Sequence, residues 1–172
     1  MGKAVKISKE QIELIQREAD KGNARAQGTL GWMYLKGKGL ARDHGKAFEW
    51  YKKAAEQGEV MAQNCLRIMY QKGIGVARDF GKAAEWAMKA ADSGHVQAQV
   101  TLATFYEKGM GVAKDPFMAH VWLTIANEYG YRNWLQSIMH TVVKKGLTKR
   151  ELQDAQRFVM NWQEKRRRKL AD

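Results

Sequence analysis

Apolar residues recur along this chain at the spacing of α-helical faces. One set falls at positions i, i+4, i+7 and i+8 and comprises Ala26, Leu30, Met33 and Tyr34. A second set with helical spacing follows and comprises Ala47, Trp50, Tyr51 and Ala54. Such spacing gathers the apolar side chains on one side of a helix. The stretch therefore predicts two amphipathic helices, each of about 12 to 14 residues.

This pattern occurs three times at a fixed step of 36 residues. The copies occupy residues 23–58, 59–94 and 95–130, and no insertion or deletion separates them. Identical residue types mark the shared registers, among them Gln27/Gln63/Gln99, Leu30/Leu66/Leu102, Tyr34/Tyr70/Tyr106 and Trp50/Trp86/Trp122. A single helical pair cannot bury its apolar side alone, so a fixed period predicts a repeat array whose copies stack on one another. We expect the tyrosine and tryptophan of each copy to fill the space between neighbours.

Glycines and capping residues predict where the helices of each copy begin and end. The glycines expected to form a left-handed turn after each first helix are Gly37, Gly39, Gly73, Gly75, Gly109 and Gly111. The aspartates expected to cap the second helices are Asp43, Asp79 and Asp115, the last followed by Pro116, the only proline. The second helices are predicted to end at Gly58, Gly94 and Gly130. Each copy is therefore interpreted as a helix, a glycine turn and a second helix.

The residues from Ala24 to Gly58 resemble the Sel-one-like repeat family, a relative of the tetratricopeptide repeats. The matching segments read ARAQGTLGWMYLKGKG and DHGKAFEWYKKAAEQG. The 36-residue period and the paired glycines distinguish them from tetratricopeptide repeats, which have a period of about 34 residues. The resemblance implies an all-α fold: a right-handed α-solenoid of three helix-turn-helix repeats with N- and C-terminal capping helices. It also implies a non-catalytic scaffold or adaptor that binds a protein partner.

The segments that flank the copies predict the caps, and residues 1–172 are interpreted as a single domain. A helix over 7–21, within the cap 1–22, has Ser8 as its N-cap and carries three apolar residues, Ile12, Leu14 and Ile15. After Gly130 the repeat fades, although Trp134 and Ile138 keep its registers. Residues 131–172 are expected to form the C-terminal cap, with a final helix opened by a capping box of Thr148 and Glu151. The apolar side of this last helix comprises Leu152, Ala155, Phe158, Val159 and Trp162.

One register departs from the repeat pattern. Gly31 of the first copy is replaced by Arg67 in the second and by Ala103 in the third. We expect Arg67 to turn outward as a solvated surface arginine, with a contact role as the alternative.

The positions that vary between copies at shared registers of the first helices are the candidates for partner binding. They are Arg25, Thr29, Trp32, Met61, Cys65, Ile68, Gln97, Thr101 and Thr104. If these side chains line the concave side of the solenoid, they form an apolar strip that suits a peptide or a partner helix. The alternative is that Trp32 and Ile68 pack against loops or against the N-terminal cap.

Positive charge is concentrated at the C-terminus. Of the net charge of +12, residues 1–22 carry +1, the three copies carry +4, +1 and −1, and residues 131–172 carry +7. The basic run Lys165, Arg166, Arg167, Arg168 and Lys169 is a candidate site for nucleic acid or another acidic surface. The alternative is a frayed, solvated helix end whose cations face the negative end of the helix dipole. No aromatic residue interleaves with this run.

The sequence carries no pattern typical of an active site, a cofactor or a metal. The four histidines His44, His95, His120 and His140 are scattered, and Cys65 is the only cysteine. We expect Cys65 to be a small buried apolar residue, with a reactive thiol as the alternative. No signal-peptide pattern or membrane span is present, so the chain is predicted to be cytoplasmic unless a leader has been removed. A protein-binding scaffold is the main functional hypothesis, polyanion binding through the basic run the second, and a regulatory or toxin-neutralising protein the third.

Overall fold

A computed structural model of the chain describes residues 7–129, 141 and 143–171. Within these residues the regular structure is entirely helical, which confirms the all-α class and the repeated helix-turn-helix pattern. The helices are α1 (Lys9–Asp20), α2 (Ala24–Lys36), α3 (His44–Glu56), α4 (Val60–Lys72), α5 (Phe80–Asp92), α6 (Val96–Lys108), α7 (Pro116–Glu128) and α8 (Lys149–Ala171). The chain divides into two compact units, residues 1–86 and 87–172. The interpretation as one domain stays a prediction.

The predicted capping residues begin and end these helices. Ser8 forms a capping box with Gln11 at the start of α1, and Asp43 and Asp115 accept backbone N–H groups at the starts of α3 and α7. The α2 helix ends at Gly37, whose φ of 64° lies in the left-handed region that disfavours a side chain. The helix boundaries follow from these local interactions because a side-chain oxygen or a left-handed residue satisfies the unpaired groups at a helix end.

Three buried glutamines join each first helix to the helix that precedes it. The Nε2 atoms of Gln27, Gln63 and Gln99 donate to the carbonyl oxygens of Ala19, Ala55 and Ala91 at 3.1, 3.3 and 3.1 Å. Each carbonyl lies in the last turn of its helix and also accepts the backbone N–H of the glycine that follows the helix, Gly22, Gly58 or Gly94. The glutamine register therefore links successive helices in all three copies.

The first unit has its core where α1, α2 and α3 meet. Leu30 and Met33 are fully buried beside Ala19 of α1. Ile12 and Ile15 pack against this cluster, so α1 covers the first repeat. Leu14 is 54% exposed and lies on the other side of α1.

The second unit buries its apolar residues among α6, α7 and α8. Trp122 is 3% exposed, and its ring meets that of Trp162 edge to face with centroids 5.9 Å apart. Ala155 and Val159 attach α8 to this core, and the predicted capping box of Thr148 and Glu151 is present. Phe158 is 41% exposed, so its placement on the apolar side of α8 was wrong. Gly130, Trp134, Ile138 and His140 lie outside the described residues.

The expectation for Arg67 was also wrong. Its side chain is buried, with 6% exposed, inside the first unit. Its Nε donates to Oδ1 of Asn64 and its Nη1 to Oε1 of Gln71, both at 2.9 Å. These acceptors lie one turn before and one turn after Arg67 on α4. They stabilise the buried guanidinium because they replace the hydrogen bonds that it would otherwise make to water.

Candidate functional site

A groove of about 310 Å³ opens between α2 and α4 in the first unit. Its walls are formed by Arg25, Gly28, Thr29, Trp32, Tyr51, Glu59, Met61 and Cys65. Five of these residues are among the nine partner-binding candidates: Arg25, Thr29, Trp32, Met61 and Cys65. The structure therefore brings the candidates of the first copy together with two candidates of the second.

Missing side chains on α2 create the groove. Gly28 stands at the register of Asn64 and Val100, so only the first copy has no side chain there. Three residues on, a Cβ placed on Gly31 would lie 3.0 Å from Cγ and Cδ1 of the Tyr51 ring. The buried Tyr51 ring occupies that space and forms part of the groove lining. Substituting either glycine would change the depth of the groove or move its floor.

Two large apolar side chains on the groove walls remain in contact with solvent. Trp32 on α2 is 42% exposed and Met61 on α4 is 59% exposed. The structure therefore agrees with the prediction that Trp32 lies on an open surface, and not with the alternative that Trp32 packs against the N-terminal cap. Ile68 is partly buried, one turn beyond Cys65, and is not part of the groove lining.

The polar groups of the groove are mostly paired within the first unit. The Thr29 hydroxyl donates to the Arg25 carbonyl at 2.9 Å. The Glu59 carboxylate accepts the backbone N–H groups of Met61 at 3.2 Å and Ala62 at 2.5 Å, which makes it the N-cap of α4. The Tyr51 hydroxyl lies beside the Cys65 thiol in the lining. The groove therefore offers apolar contact, with Arg25 as its exposed cation.

Cys65 lies partly buried in the groove lining. Burial raises the pKa of its thiol, against a smaller opposite effect of the neighbouring Tyr51 hydroxyl. Burial likewise raises the pKa of the Tyr51 hydroxyl. Both groups are therefore neutral near pH 7, and a thiol is a much weaker nucleophile than a thiolate. This environment favours the packing role of Cys65 over a reactive one.

The candidates from the third copy lie on α6 in the second unit. The hydroxyl of Thr101 donates to the Gln97 carbonyl at 2.9 Å, and that of Thr104 donates to the Val100 carbonyl at 3.0 Å. Each hydroxyl thus bonds to the backbone of its own helix. Their part in a binding surface stays a prediction.

The basic run lies on α8, which remains helical through Ala171. Arg166 is partly buried, and its Nη2 donates to the Ser93 carbonyl at 3.2 Å. Its guanidinium lies over the rings of Tyr129 and Trp162, at 5.0 and 5.5 Å from their centroids. A Cβ on Gly94 would collide with it. The interpretation as a frayed, solvated helix end was therefore wrong for Arg166, which packs on Trp162 one turn earlier in α8 and on Tyr129, which is distant in sequence.

The other four cations of the run remain at the surface. Arg168 pairs with Glu164 at 2.5 Å, and both side chains are mostly exposed. Lys165, Arg167 and Lys169 are exposed as well. Exposed ion pairs contribute little free energy. Among the described residues of the run, three unpaired cations therefore remain available to bind a polyanion: Lys165, Arg167 and Lys169.

Sequence reasoning missed three residues of the groove: Gly28, Tyr51 and Glu59. Gly28 could have been found, because it is the smallest of three different residues at one register. Tyr51 belongs to the second helix of its copy, and Glu59 opens the second copy, so a search restricted to first helices omitted both. Residues from different helices meet at a site only through tertiary packing.

Among the described residues, no group of three or more His, Cys, Asp and Glu side chains is placed to hold a metal. His95 instead caps α6, where its Nδ1 accepts the Ala98 N–H at 3.2 Å, and His120 is buried. No helix in this part of the chain is both long enough and apolar enough to cross a membrane.

Comparison with known proteins gives consistent matches to repeat proteins. The Sel1 repeat model matches residues 24–59, 61–95 and 96–131. A crystal structure of a Sel1 repeat protein from Oxalobacter formigenes is 33% identical, with a TM-score of 0.68 over 70% of this chain and 50% of that one. A protective antigen of uropathogenic Escherichia coli strains, which displays an SLR fold, is 29% identical, with a TM-score of 0.64 over 90% of this chain and 41% of that one.

A third structure extends the likeness of fold. Cysteine rich protein B of Helicobacter pylori is 18% identical, with a TM-score of 0.57 over 74% of this chain and 96% of that one. At that identity the likeness concerns the fold alone. This chain spans half or less of the length of the first two structures. No match was found among curated proteins.

Proposed function

The chain belongs to the Sel1 repeat family, whose repeats generally mediate protein–protein interactions, and we propose that it is a non-catalytic scaffold that binds a partner in the groove between α2 and α4. The partner presents a peptide or a helix. The observation that carries this proposal is the exposure of Trp32 and Met61 on the walls of one groove.

Exposed apolar side chains around a concavity support partner binding. A tryptophan costs free energy when it is left in water, and tryptophans are frequent among the residues that dominate binding energy at interfaces. The flexible, polarizable side chain of Met61 adapts to different surfaces. Together with the neutral floor of Tyr51 and Cys65, these residues favour an apolar anchor from the partner.

Polyanion binding through the basic run is the second candidate. It is supported by the exposure of Lys165, Arg167 and Lys169 along α8. Against it stand the packing of Arg166 into the second unit and the pairing of Arg168 with Glu164. Three free cations supply a weak, salt-sensitive attraction, and most of the affinity would have to come from other groups.

A peptide selection tests the groove. The whole chain, immobilised, is used to select binders from a random short-peptide library, and the affinities of the selected peptides are measured by fluorescence anisotropy. Trp32→Ala should weaken binding about tenfold or more, as expected for loss of an apolar anchor. Gly28→Asn, which copies the second repeat at this register, should weaken binding because its side chain enters the groove. Phe158→Ala removes an aromatic that is equally exposed but lies on α8, and it should change the affinity less than about twofold.

The two candidate functions give different outcomes. Peptides whose affinity is unchanged by both Trp32→Ala and Gly28→Asn would contradict binding in the groove.

Binding of a single-stranded oligonucleotide tests the basic run. The variant used is Lys165→Gln/Arg167→Gln/Lys169→Gln, because a truncation of the run would also remove the packed Arg166. If the run is the site, affinity should fall with salt at a log-log slope of about −2, and the triple variant should abolish it. That outcome, with no dependence on Trp32, would favour the second candidate.

A further inference from the structure

We infer that the segment bound in this groove is acidic: a peptide that places one large apolar side chain between Trp32 and Met61 and carboxylates against Arg25 and Lys36. The inference rests on the proposed function and adds the chemistry of the partner. It follows from the charges around the groove, where three cations lie near one carboxylate and none of the three cations forms an ion pair with a described residue.

The size of the groove limits what enters it. At about 310 Å³ it lies at the lower end of the range for ligand sites, so it holds one or two side chains and not a whole helix. The exposed faces of Trp32 and Met61 form its rim. An apolar side chain therefore enters the groove, and the rest of the partner lies across the exposed surface beside it.

Three positive charges act on this region. Arg25 lies on the groove wall and is exposed, and Lys36 is exposed in the last turn of α2. Arg67 is buried, and its hydrogen bonds go to the neutral side chains of Asn64 and Gln71. Among the ion pairs of the described residues, none includes Arg25, Lys36 or Arg67.

Two of these cations, Arg67 and Lys36, influence the groove floor. Burial raises the pKa of the Cys65 thiol most strongly, and the Glu59 carboxylate raises it further. Arg67 and Lys36 both lower it by stabilising the thiolate, each with a smaller effect than that of Glu59. A buried charge is poorly screened, so the guanidinium of Arg67 contributes to the potential although the partner cannot touch it.

The one carboxylate in the lining does not balance this charge. Glu59 accepts two backbone N–H groups at the start of α4, where the positive end of the helix dipole faces it. The surrounding copy, residues 23–58, has seven basic and three acidic residues. A groove with a positive potential attracts acidic segments and repels basic ones, which affects the association rate and the choice of partner.

The peptide selection described above tests the inference once the composition of the bound peptides is analysed. The selected pool should contain more Asp and Glu than the unselected library, next to a large apolar residue. For a selected peptide, Arg25→Gln/Lys36→Gln should weaken binding about tenfold at low salt and remove most of its salt dependence. The matched control for net charge is Lys52→Gln/Lys53→Gln, which replaces two exposed lysines on α3 outside the groove lining. This control should change the affinity less than about twofold.

The possible failures are distinguishable. Peptides that bind in a Trp32-dependent manner without enrichment in Asp and Glu would overturn the acidic partner and leave the proposed function intact. The acidic partner would also be overturned if Lys52→Gln/Lys53→Gln weakened binding as much as Arg25→Gln/Lys36→Gln. In that case the net charge of the chain, and not the groove, would attract the peptide. A selection that yields no Trp32-dependent peptide would overturn both.

Discussion

The first and third repeats share one 36-residue pattern but use the same registers differently. In the first, Gly28, Gly31 and the exposed Trp32 leave a groove beside α2. In the third, the corresponding Val100 and Ala103 are buried. The second helices differ as well, because α7 buries Trp122, whereas the ring of Trp50 on α3 is only partly buried.

This difference separates two roles of one repeat. The leucines that recur at one register, Leu30, Leu66 and Leu102, are fully buried in every copy and hold the helical pair together. Residues that vary decide whether the remaining surface is filled or left open. In the third repeat they contribute to a core that α8 completes, and in the first they leave apolar surface in contact with water. Binding capacity is therefore expected where the repeat is least completely packed.

The largest expected effect tests whether the tryptophan register is equally buried in both repeats. Trp122→Ala should reduce the free energy of unfolding by about 3 to 5 kcal/mol, because it removes a buried ring that packs on Trp162. Trp50→Ala should reduce it by about 1 to 2 kcal/mol, since that ring is partly in water. Urea unfolding followed by circular dichroism measures both. Equal losses would remove the contrast between the repeats.

Trp86 stands at the same register in the second repeat. Because its ring is partly exposed, the loss expected for Trp86→Ala is smaller than that for Trp122→Ala. A larger loss at Trp86 than at Trp122 would contradict this ranking.

The Gly31 register gives the second test. Gly31→Ala brings a Cβ within 3.0 Å of the buried Tyr51 ring, and this close contact should cost more than the approximately 1 kcal/mol gained in helix propensity. We expect a net loss of about 1 kcal/mol in the free energy of unfolding. In the third repeat the reverse exchange, Ala103→Gly, should also lose about 1 kcal/mol, because alanine is the better helix former there. If Gly31→Ala proved stabilising, Tyr51 would not be fixed in the groove floor.

The smallest effect separates packed from solvated cations on α8. Arg166→Ala removes the hydrogen bond to Ser93 and two ring contacts, so thermal unfolding should report a loss of about 1 kcal/mol. Arg167→Ala, in the same run but exposed, should stay within about 0.5 kcal/mol of the parent chain. Indistinguishable variants would mean that Arg166 does not attach α8 to the second unit.

Much of the fold could be predicted from sequence because the controlling interactions are local. The N-caps at Ser8, Asp43 and Thr148 and the left-handed turn at Gly37 depend on residues within one helical turn. The candidate site was predicted only in part. Trp32 and Met61 were found because each stands at a register that varies between the copies, but Tyr51 and Glu59 come from other segments and were missed.

The period of 36 residues, the helix-turn-helix unit and the helix ends follow from the amino-acid sequence alone, because spacing and capping preferences act over a few residues. Which residues of a shared register meet solvent depends on the packing of helices against one another. Arg67 is buried between Asn64 and Gln71, Phe158 is exposed, and Arg166 packs on the ring of Tyr129, far away in sequence. Burial is a property of the space between helices, and that space depends on which side chains the neighbouring helices bring to it.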